Sequence, residues 1–471
     1  MRRNPPTPAP AEAPQPASGG NLDRWLHRVY YRMSGINEFL SRRRRPAGMA
    51  LGIVFVLATC LGIGHEREQA STYQLFSLSL AMILIGLPAA LLRRAKLEAR
   101  REVPRYGTAG EPLRYSIRIR NAGRRRISRA WLCESPPDPR PDIRDFTILR
   151  EPGEEERNGF DRRFAYFRWR WLLLRNRLFT EAACDREIRL KPGGQTRVFI
   201  EMTPLRRGVI RLHDLRVQLP DPFGLFQKCP RVTAPAATLM VLPRRHALPA
   251  IELPGGAAFK ISGETNTNMI GNSGEFVGLR EYRPGDPLRQ IHWKSWARTG
   301  RPIVKELEDT FYPRYGLVLD TLSSDRTDTQ FEEAISVAAS FASAIDTRES
   351  LLDLMFVKTE AHRVTAGRGV ERAEKLLEVL AGVTPERVGN YSALAQLVLR
   401  HREDLTSCVV ILNGWDEQRA GLLRDLRAGG IVCVPLAIGS GGAPAGFPGH
   451  WLESGHIPRD LMRLPARLSA A

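Results

Sequence analysis

The sequence predicts a membrane-anchored multidomain chain with two transmembrane helices, an Ig-like β-sandwich and an α/β domain with a mostly parallel sheet. Three observations predict it. Two long uncharged apolar runs lie close together before residue 93. Short alternating strands fill residues 103–245. Beyond residue 311, apolar strands alternate with helical periods.

The apolar runs are Ala47–Gly64, 18 residues without a charge, and Thr72–Leu92, 21 residues without one. A bilayer core takes about 20 apolar residues in a helix, so residues 47–92 are expected to form a transmembrane helical hairpin. Arg42, Arg43, Arg44 and Arg45 precede it; Arg93, Arg94, Lys96, Arg100 and Arg101 follow it. The positive-inside rule puts both flanks in the cytoplasm. The expectation is a two-span protein of a bacterial inner membrane, with its N-terminus and its large C-terminal domains cytoplasmic and no cleaved signal peptide.

Charge agrees with that placement. The formal net charge is +19, and residues 1–101 carry 15 Lys and Arg against 6 Asp and Glu. A membrane lipid surface is the first expected partner, and no nucleic acid is expected. Residues 1–46 read as a disordered basic tail. Its Pro/Ala/Gly-rich start, Met1–Gly20, is followed by Trp25, Leu26, Val29, Tyr30 and Met33 at helical spacing. Two readings of that helix stand: an amphipathic helix on the inner leaflet, or an extension packed on the soluble domain.

In the middle region, Leu113–Arg120 alternates apolar and polar residues, and 198–202, 209–212 and 215–219 are further strands. The run Asp221, Pro222, Phe223, Gly224, Leu225, Phe226 is an X-Pro turn whose two Phe rings can plug a domain junction. Residues 162–179 depart from the pattern with six Arg and six aromatics and no acid. That mixture suits a lipid headgroup zone, an ordinary hairpin on the sandwich edge, or nucleic-acid stacking.

Residues 255–310 hold the densest cluster. Around a Pro284-Gly285-Asp286-Pro287 turn stand Arg280, Tyr282, Arg283, Arg289, His292, Trp293, Lys294, Trp296 and Arg298. Gly285 permits the turn, Asp286 is a good N-cap and Pro287 suits the first helical position, so a short helix is expected through Leu288 and Ile291. The cations can meet an anion or a partner's carboxylates, or pair internally with Glu275, Glu281 and Asp286 as a strap. His292 has no nucleophile pattern near it and is not read as catalytic.

In residues 311–440, strands are expected at 315–320, 351–357, 408–412 and 431–436, and helices at 331–345, 371–380, 391–400 and 417–428. Ligands in such sheets bind beyond the carboxyl ends of the strands, where Asp320 and Asn413 fall. Residues 441–471 read as a Gly/Pro-rich C-terminal tail. The six cysteines include no C-x-x-C pair, and no Cys/His spacing matches a zinc site. No phosphate-binding Gly-Lys loop and no dinucleotide fingerprint is present.

The block Gly274–Arg298, with the Asp221–Phe226 run, resembles the domain-of-unknown-function 58 family, bacterial membrane-anchored proteins with a von Willebrand factor A-like C-terminal domain. The resemblance implies a non-catalytic adaptor or scaffold that docks cytosolic proteins, with a MoxR-type AAA+ ATPase as one partner in complex assembly or maturation. It also implies a degenerate metal-ion-dependent adhesion site. The family's Asp-x-Ser-x-Ser here reads Asp320-Thr321-Leu322-Ser323-Ser324, and its later Thr-Asp-Gly reads Leu412-Asn413-Gly414. Asp320, Ser324, Asn413 and Asp416 are the candidate ligands, and Mg²⁺ is the one cofactor admitted; otherwise none is expected. A divalent-metal-dependent ligand-binding receptor is the alternative, and an uncharacterised hydrolase a third.

Overall fold

A computed structural model describes residues 21–43, 45–64, 70–254, 275–308, 313–322, 329–345, 350–357, 360–367, 373–386, 391–465 and 468. The Met1–Gly20 tail, Arg44, the 65–69 connection, Gly274, Ser323 and Ser324 lie outside the described residues. The chain divides into two units, Met1–Leu242 and Pro243–Ala471.

The first unit opens with three helices, α1 (Asn21–Ser41), α2 (Pro46–Gly64) and α3 (Ala70–Leu92). Thr72–Leu92 is long and apolar enough to cross a membrane, and little of it is buried. The apolar stretch Pro46–Cys60 of α2 is shorter. One helix of spanning length is therefore what the described residues offer, where the sequence predicts two.

The strands that follow are β1 (Leu97–Glu102), β2 (Tyr106–Thr108), β3 (Leu113–Asn121) and β4 (Ile127–Glu134). Three short helices interrupt them: α4 (Ile143–Ile148), α5 (Gly159–Phe164) and α6 (Tyr166–Asn176). Then come β5 (Ala182–Cys184), β6 (Ile188–Leu190), β7 (Gln195–Met202), β8 (Gly208–Leu212), β9 (Leu215–Pro220), β10 (Gln227–Lys228) and β11 (Ala237–Leu242). One sheet runs β1-β3-β7-β5-β4-β9-β10, with β6 paired to β4; the other runs β2-β11-β8. Period-two alternation sends Val198, Ile200 and Met202 of β7 inward and leaves Arg197 and Glu201 outside. These side chains share one core with Ile210, Leu212, Leu239 and Val241 of the second sheet, which makes the pair a β-sandwich. It starts at Leu97 rather than at residue 103, because β1 pairs antiparallel with β3 along its whole length. A buried ion pair crosses this core: Arg101 donates to both carboxylate oxygens of Glu134 at 2.8 and 2.9 Å.

Residues 162–176 fall in two helices, α5 and α6, and not in a hairpin. Trp169 and Leu172 of α6 are buried with Phe146 of α4 and Leu26 of α1 in a separate core. Ala165 turns the chain between α5 and α6 at φ +50°. Arg168, nearly fully buried, donates to Glu154 at 2.9 Å, so its charge is neutralised within the fold. Tyr30 donates to the Phe164 carbonyl at 2.9 Å and Trp169 to the Ser34 hydroxyl at 3.0 Å. One face of α1 thus packs on the α4–α6 segment of the same unit.

The second unit contains β12 (Glu275–Glu281), α7 (Trp293–Thr299) and β13 (Ile303–Glu308), then β14 (Arg314–Leu319), α8 (Thr329–Ala344), β15 (Leu351–Val357) and β16 (Ala361–Ala366). It ends with α9 (Ala373–Gly382), α10 (Tyr391–Arg400), β17 (Ser407–Asn413), α11 (Glu417–Ala428), β18 (Cys433–Gly439), β19 (His450–Glu453) and α12 (Ile457–Met462). The sheet order is β16-β15-β14-β17-β18-β19, parallel except for β16. The buried strands β17 and β18 read as continuous apolar runs, as parallel strands covered on both faces do. Cys408 and Cys433 face each other in register there as free, buried thiols.

Much of the expected C-terminal tail, among its described residues, is regular structure. Residues 450–453 add β19 as a parallel edge strand, and Trp451 packs edge-on against Phe447. The Gly-rich run 439–449 hid it, although two of its glycines serve close packing: a Cβ on Gly449 would sit 2.4 Å from the Pro435 carbonyl and one on Gly439 2.3 Å from the Trp451 ring.

Candidate functional site

The signature block is a two-stranded hairpin whose connection carries the unusual residues. β12 and β13 pair antiparallel, with a bulge between Phe276 and Gly278. At the turn, Asp286 is the anchor. Arg280 donates to both of its oxygens at 2.7 Å, and the Arg283 N–H donates to Oδ2 at 2.8 Å. Gly285 holds φ +107°, a conformation any Cβ would strain. Hydrogen bonds from Arg280 hold the Asp286 carboxyl down to about 2. Asp286 therefore does not cap a helix, which corrects the sequence expectation. Leu288–Gln290 forms a single 3₁₀ turn, Ile291 returns to extended backbone against Val304, and α7 starts only at Trp293.

The hairpin has an inside and an outside. Ile291 and Val304 are buried, the Tyr282 N–H reaches the Pro302 carbonyl at 3.0 Å, and the His292 N–H reaches Ile303 at 2.8 Å. The His292 ring bonds the Ser295 hydroxyl at 2.7 Å, which ties it to its own helix turn. Outside, Trp293 is 64% exposed and stacks on Trp296 with ring centroids 5.3 Å apart. Arg289, Lys294 and Arg298 are exposed beside them. Among the described residues these three cations meet no carboxylate, whereas Arg280 and Arg301 pair with Asp286 and Glu281. The internal strap therefore rests on Arg280 and Asp286, and the remaining cations and tryptophans form an outward surface.

The candidate metal residues are arranged otherwise than the resemblance implies. Asp320 is fully buried at the end of β14. Its Oδ2 accepts from Arg419 Nε at 2.8 Å and from the Asn413 N–H at 3.2 Å; its Oδ1 accepts from the Leu322 N–H at 2.9 Å. Asp416 caps α11 by accepting from the Arg419 N–H at 2.9 Å and pairs with the same guanidinium. Burial pushes the Asp320 carboxyl up, and Arg419 pulls against it. One cationic side chain thus takes both carboxylates offered for a divalent ion, and Leu322 contributes only backbone. The donor set does not fit Mg²⁺, which needs several free oxygens at near-octahedral angles. No cluster of three His, Cys, Asp or Glu able to hold an ion occurs among the described residues. Arg419 was invisible to sequence reasoning, because nothing local links a helix residue to a strand end 99 positions away.

The Asp221–Phe226 loop is a junction, but between the α2–α3 hairpin and the sandwich. Asp221 is buried and its carboxylate accepts from the Phe226 N–H at 3.0 Å and the Phe223 N–H at 3.3 Å. Gly224 turns the loop at φ +74°. Two helix glycines let the loop in: a Cβ on Gly48 would lie 2.1 Å from the Leu225 carbonyl, and one on Gly86 would lie 3.3 Å from the Phe226 ring. Pro222 and Phe223 point outward, so only Phe226 acts as a plug.

A β-sandwich bearing an apolar helical pair, followed by a mixed α/β sheet preceded by a basic-aromatic hairpin, defines the class of this protein. Residues 278–434, from within β12 to within β18, match the family model described as protein of unknown function DUF58. It is similar to the uncharacterized protein YeaD of Bacillus subtilis (strain 168), 28% identical over 145 residues, which are 31% of this chain and 35% of that protein. The match spans about a third of that relative's length. Among solved structures, the chain aligns with the CARDB domain of the PF1109 protein from Pyrococcus furiosus at 9% identity and a TM-score of 0.17, covering 31% of this chain and 89% of that one. It aligns with the PapD-like domain 7 of human CEP192 at 15% identity and a TM-score of 0.17, covering 31% and 86%.

Proposed function

We propose that this chain is a non-catalytic adaptor tethered to the inner membrane, docking a partner protein through the outer face of its signature hairpin. In this reading both α2 and α3 cross the bilayer, and the sandwich and a von Willebrand A-like α/β domain stand in the cytoplasm. The central position of β14, with Asp320 directly after its last residue, supports the von Willebrand A-like assignment. The observation that carries the docking role is the exposed Trp293, stacked on half-buried Trp296 and flanked by Arg289, Lys294 and Arg298. Exposed tryptophan beside arginine is the composition of interface hot spots, and uncompensated cations favour an acidic partner surface. A MoxR-type AAA+ ATPase is the partner the family resemblance suggests.

The test uses the full chain in detergent-solubilised native membranes, with a photo-crosslinking residue at position 293. A single crosslinked ATPase, lost in Arg289→Glu with the melting temperature unchanged, is the expected result. Crosslinking that persists in Arg289→Glu, or sustained turnover of a small molecule by the purified chain, would overturn the adaptor reading.

A further inference from the structure

A second basic site lies in the first unit, where the apolar helices meet the sandwich. A cleft of about 680 Å³ opens between the end of α1, the 136–140 loop and the β9–β10 region. Six cations line it: Arg42, Arg43, Arg140, Arg216, Lys228 and Arg231. Three carboxylates line it too, and each is already engaged. Glu38 pairs with Arg42, Asp138 with Arg140 at 2.8 Å, and Asp214 with both Arg216 and Arg231 at 2.9 and 2.8 Å. Arg43 and Lys228 meet no carboxylate among the described residues. Arg43 lies over the Phe39 ring at 4.0 Å, and Lys228 donates to the Leu91 carbonyl at 2.8 Å. Six cations against three acids leave a surplus of three positive charges in a concave site.

Position gives that surplus a meaning. Arg42 and Arg43 lie in the short link between α1 and α2, and Leu91 is in the last turn of α3. The cleft therefore sits at the level where the apolar helices begin and end, which is the headgroup layer if they cross a bilayer. A stripe of α1 agrees: Leu22, Trp25, Met33, Ile36 and Leu40 are exposed along the flank of the helix beside buried Leu26, at helical spacing.

We propose that this cleft binds the phosphate of an anionic phospholipid headgroup, with Arg43 and Lys228 as the cations that no carboxylate neutralises. The proposal rests on the membrane reading above. The shared chemistry is a phosphate oxyanion, which guanidinium and ammonium donors bind by charge-assisted hydrogen bonds. A lipid source is favoured because the acyl chains would continue along α2 and α3.

Native mass spectrometry of the full chain released from mixed micelles tests it, with phosphatidylglycerol or phosphatidylcholine as probe and inorganic phosphate as the soluble arm. Retention of phosphatidylglycerol about tenfold above phosphatidylcholine is expected, from roughly one factor of a few per lost cation. The Arg43→Gln/Lys228→Gln double variant should lose that preference, and Arg43→Lys, which keeps the charge, should retain most of it. Equal retention of the two lipids overturns the proposal, as does a preference untouched in the double variant. Binding of inorganic phosphate without retention of phosphatidylglycerol overturns the lipid source. Should the double variant fail to fold, the contrast between Arg43→Gln and Arg43→Lys decides. Flotation with neutral liposomes separates the two claims: a chain that does not float refutes the membrane reading, whereas one that floats without lipid preference refutes only this site.

Discussion

Arg419 places its Nε 2.8 Å from Asp320 Oδ2 and bonds Asp416 with the same guanidinium. The strand-end position that would hold an ion in an intact adhesion site is thus closed by the protein's own side chain. Both members are largely buried, so removing one strands a charge. Arg419→Ala is expected to destabilise the second unit by about 3–5 kcal/mol. Urea unfolding, with hydrogen exchange at the amides of β14 and β17, measures it. Millimolar Mg²⁺ is expected to restore nothing; recovery of the lost stability by Mg²⁺ would reinstate an ion site.

Asp353 gives the second unit a pH dependence. Burial pushes its carboxyl up, but hydrogen bonds from Arg314, Thr365 and Arg363 outweigh that and leave it below its ordinary value. A depressed folded value means the ionised form stabilises above the unfolded value of about 3.9, and the contribution disappears as pH falls through the folded value. The melting temperature is expected to drop below about pH 4. Asp353→Asn should be less stable at pH 7 and show a flatter decline in acid; an unchanged slope would remove Asp353 as the cause.

Gly48 and Gly52 lie one turn apart on α2, yet only Gly48 faces the 221–226 loop. Gly48→Ala is expected to cost about 1–3 kcal/mol through overpacking against Leu225. Hydrogen exchange at the Phe226 amide, which Asp221 holds, should accelerate in Gly48→Ala. Gly52→Ala, whose Cβ meets nothing within 4 Å, is the control. Equal protection in both variants would show that the helices do not bear on this loop.

Within the signature hairpin, two neighbours separate structure from recognition. Ile291 is buried and Trp293 exposed. Ile291→Ala should cost about 2–5 kcal/mol and Trp293→Ala no more than about 0.5 kcal/mol. Thermal melting of the full chain reads both. A large loss in Trp293→Ala would make the tryptophan pair part of the internal strap and remove the docking surface.

The sequence by itself determined what local pattern controls. Apolar run length marked Thr72–Leu92, period-two alternation marked β3 and β7, and buried runs with helical periods marked β14, β15, β17, α10 and α11. Pro, Gly and ionic density singled out residues 280–298. What only the tertiary structure decided are the relations across long separations. These include Arg419 closing Asp320, the glycines of α2 and α3 admitting the 221–226 loop, and α6 packing under α1. The tertiary structure also turned an apparent Gly-rich tail into an edge strand. The physical reason is that periodicity reports which face a residue turns inward, while the partner it meets there is set by chain closure over a hundred residues, which leaves no trace in local spacing.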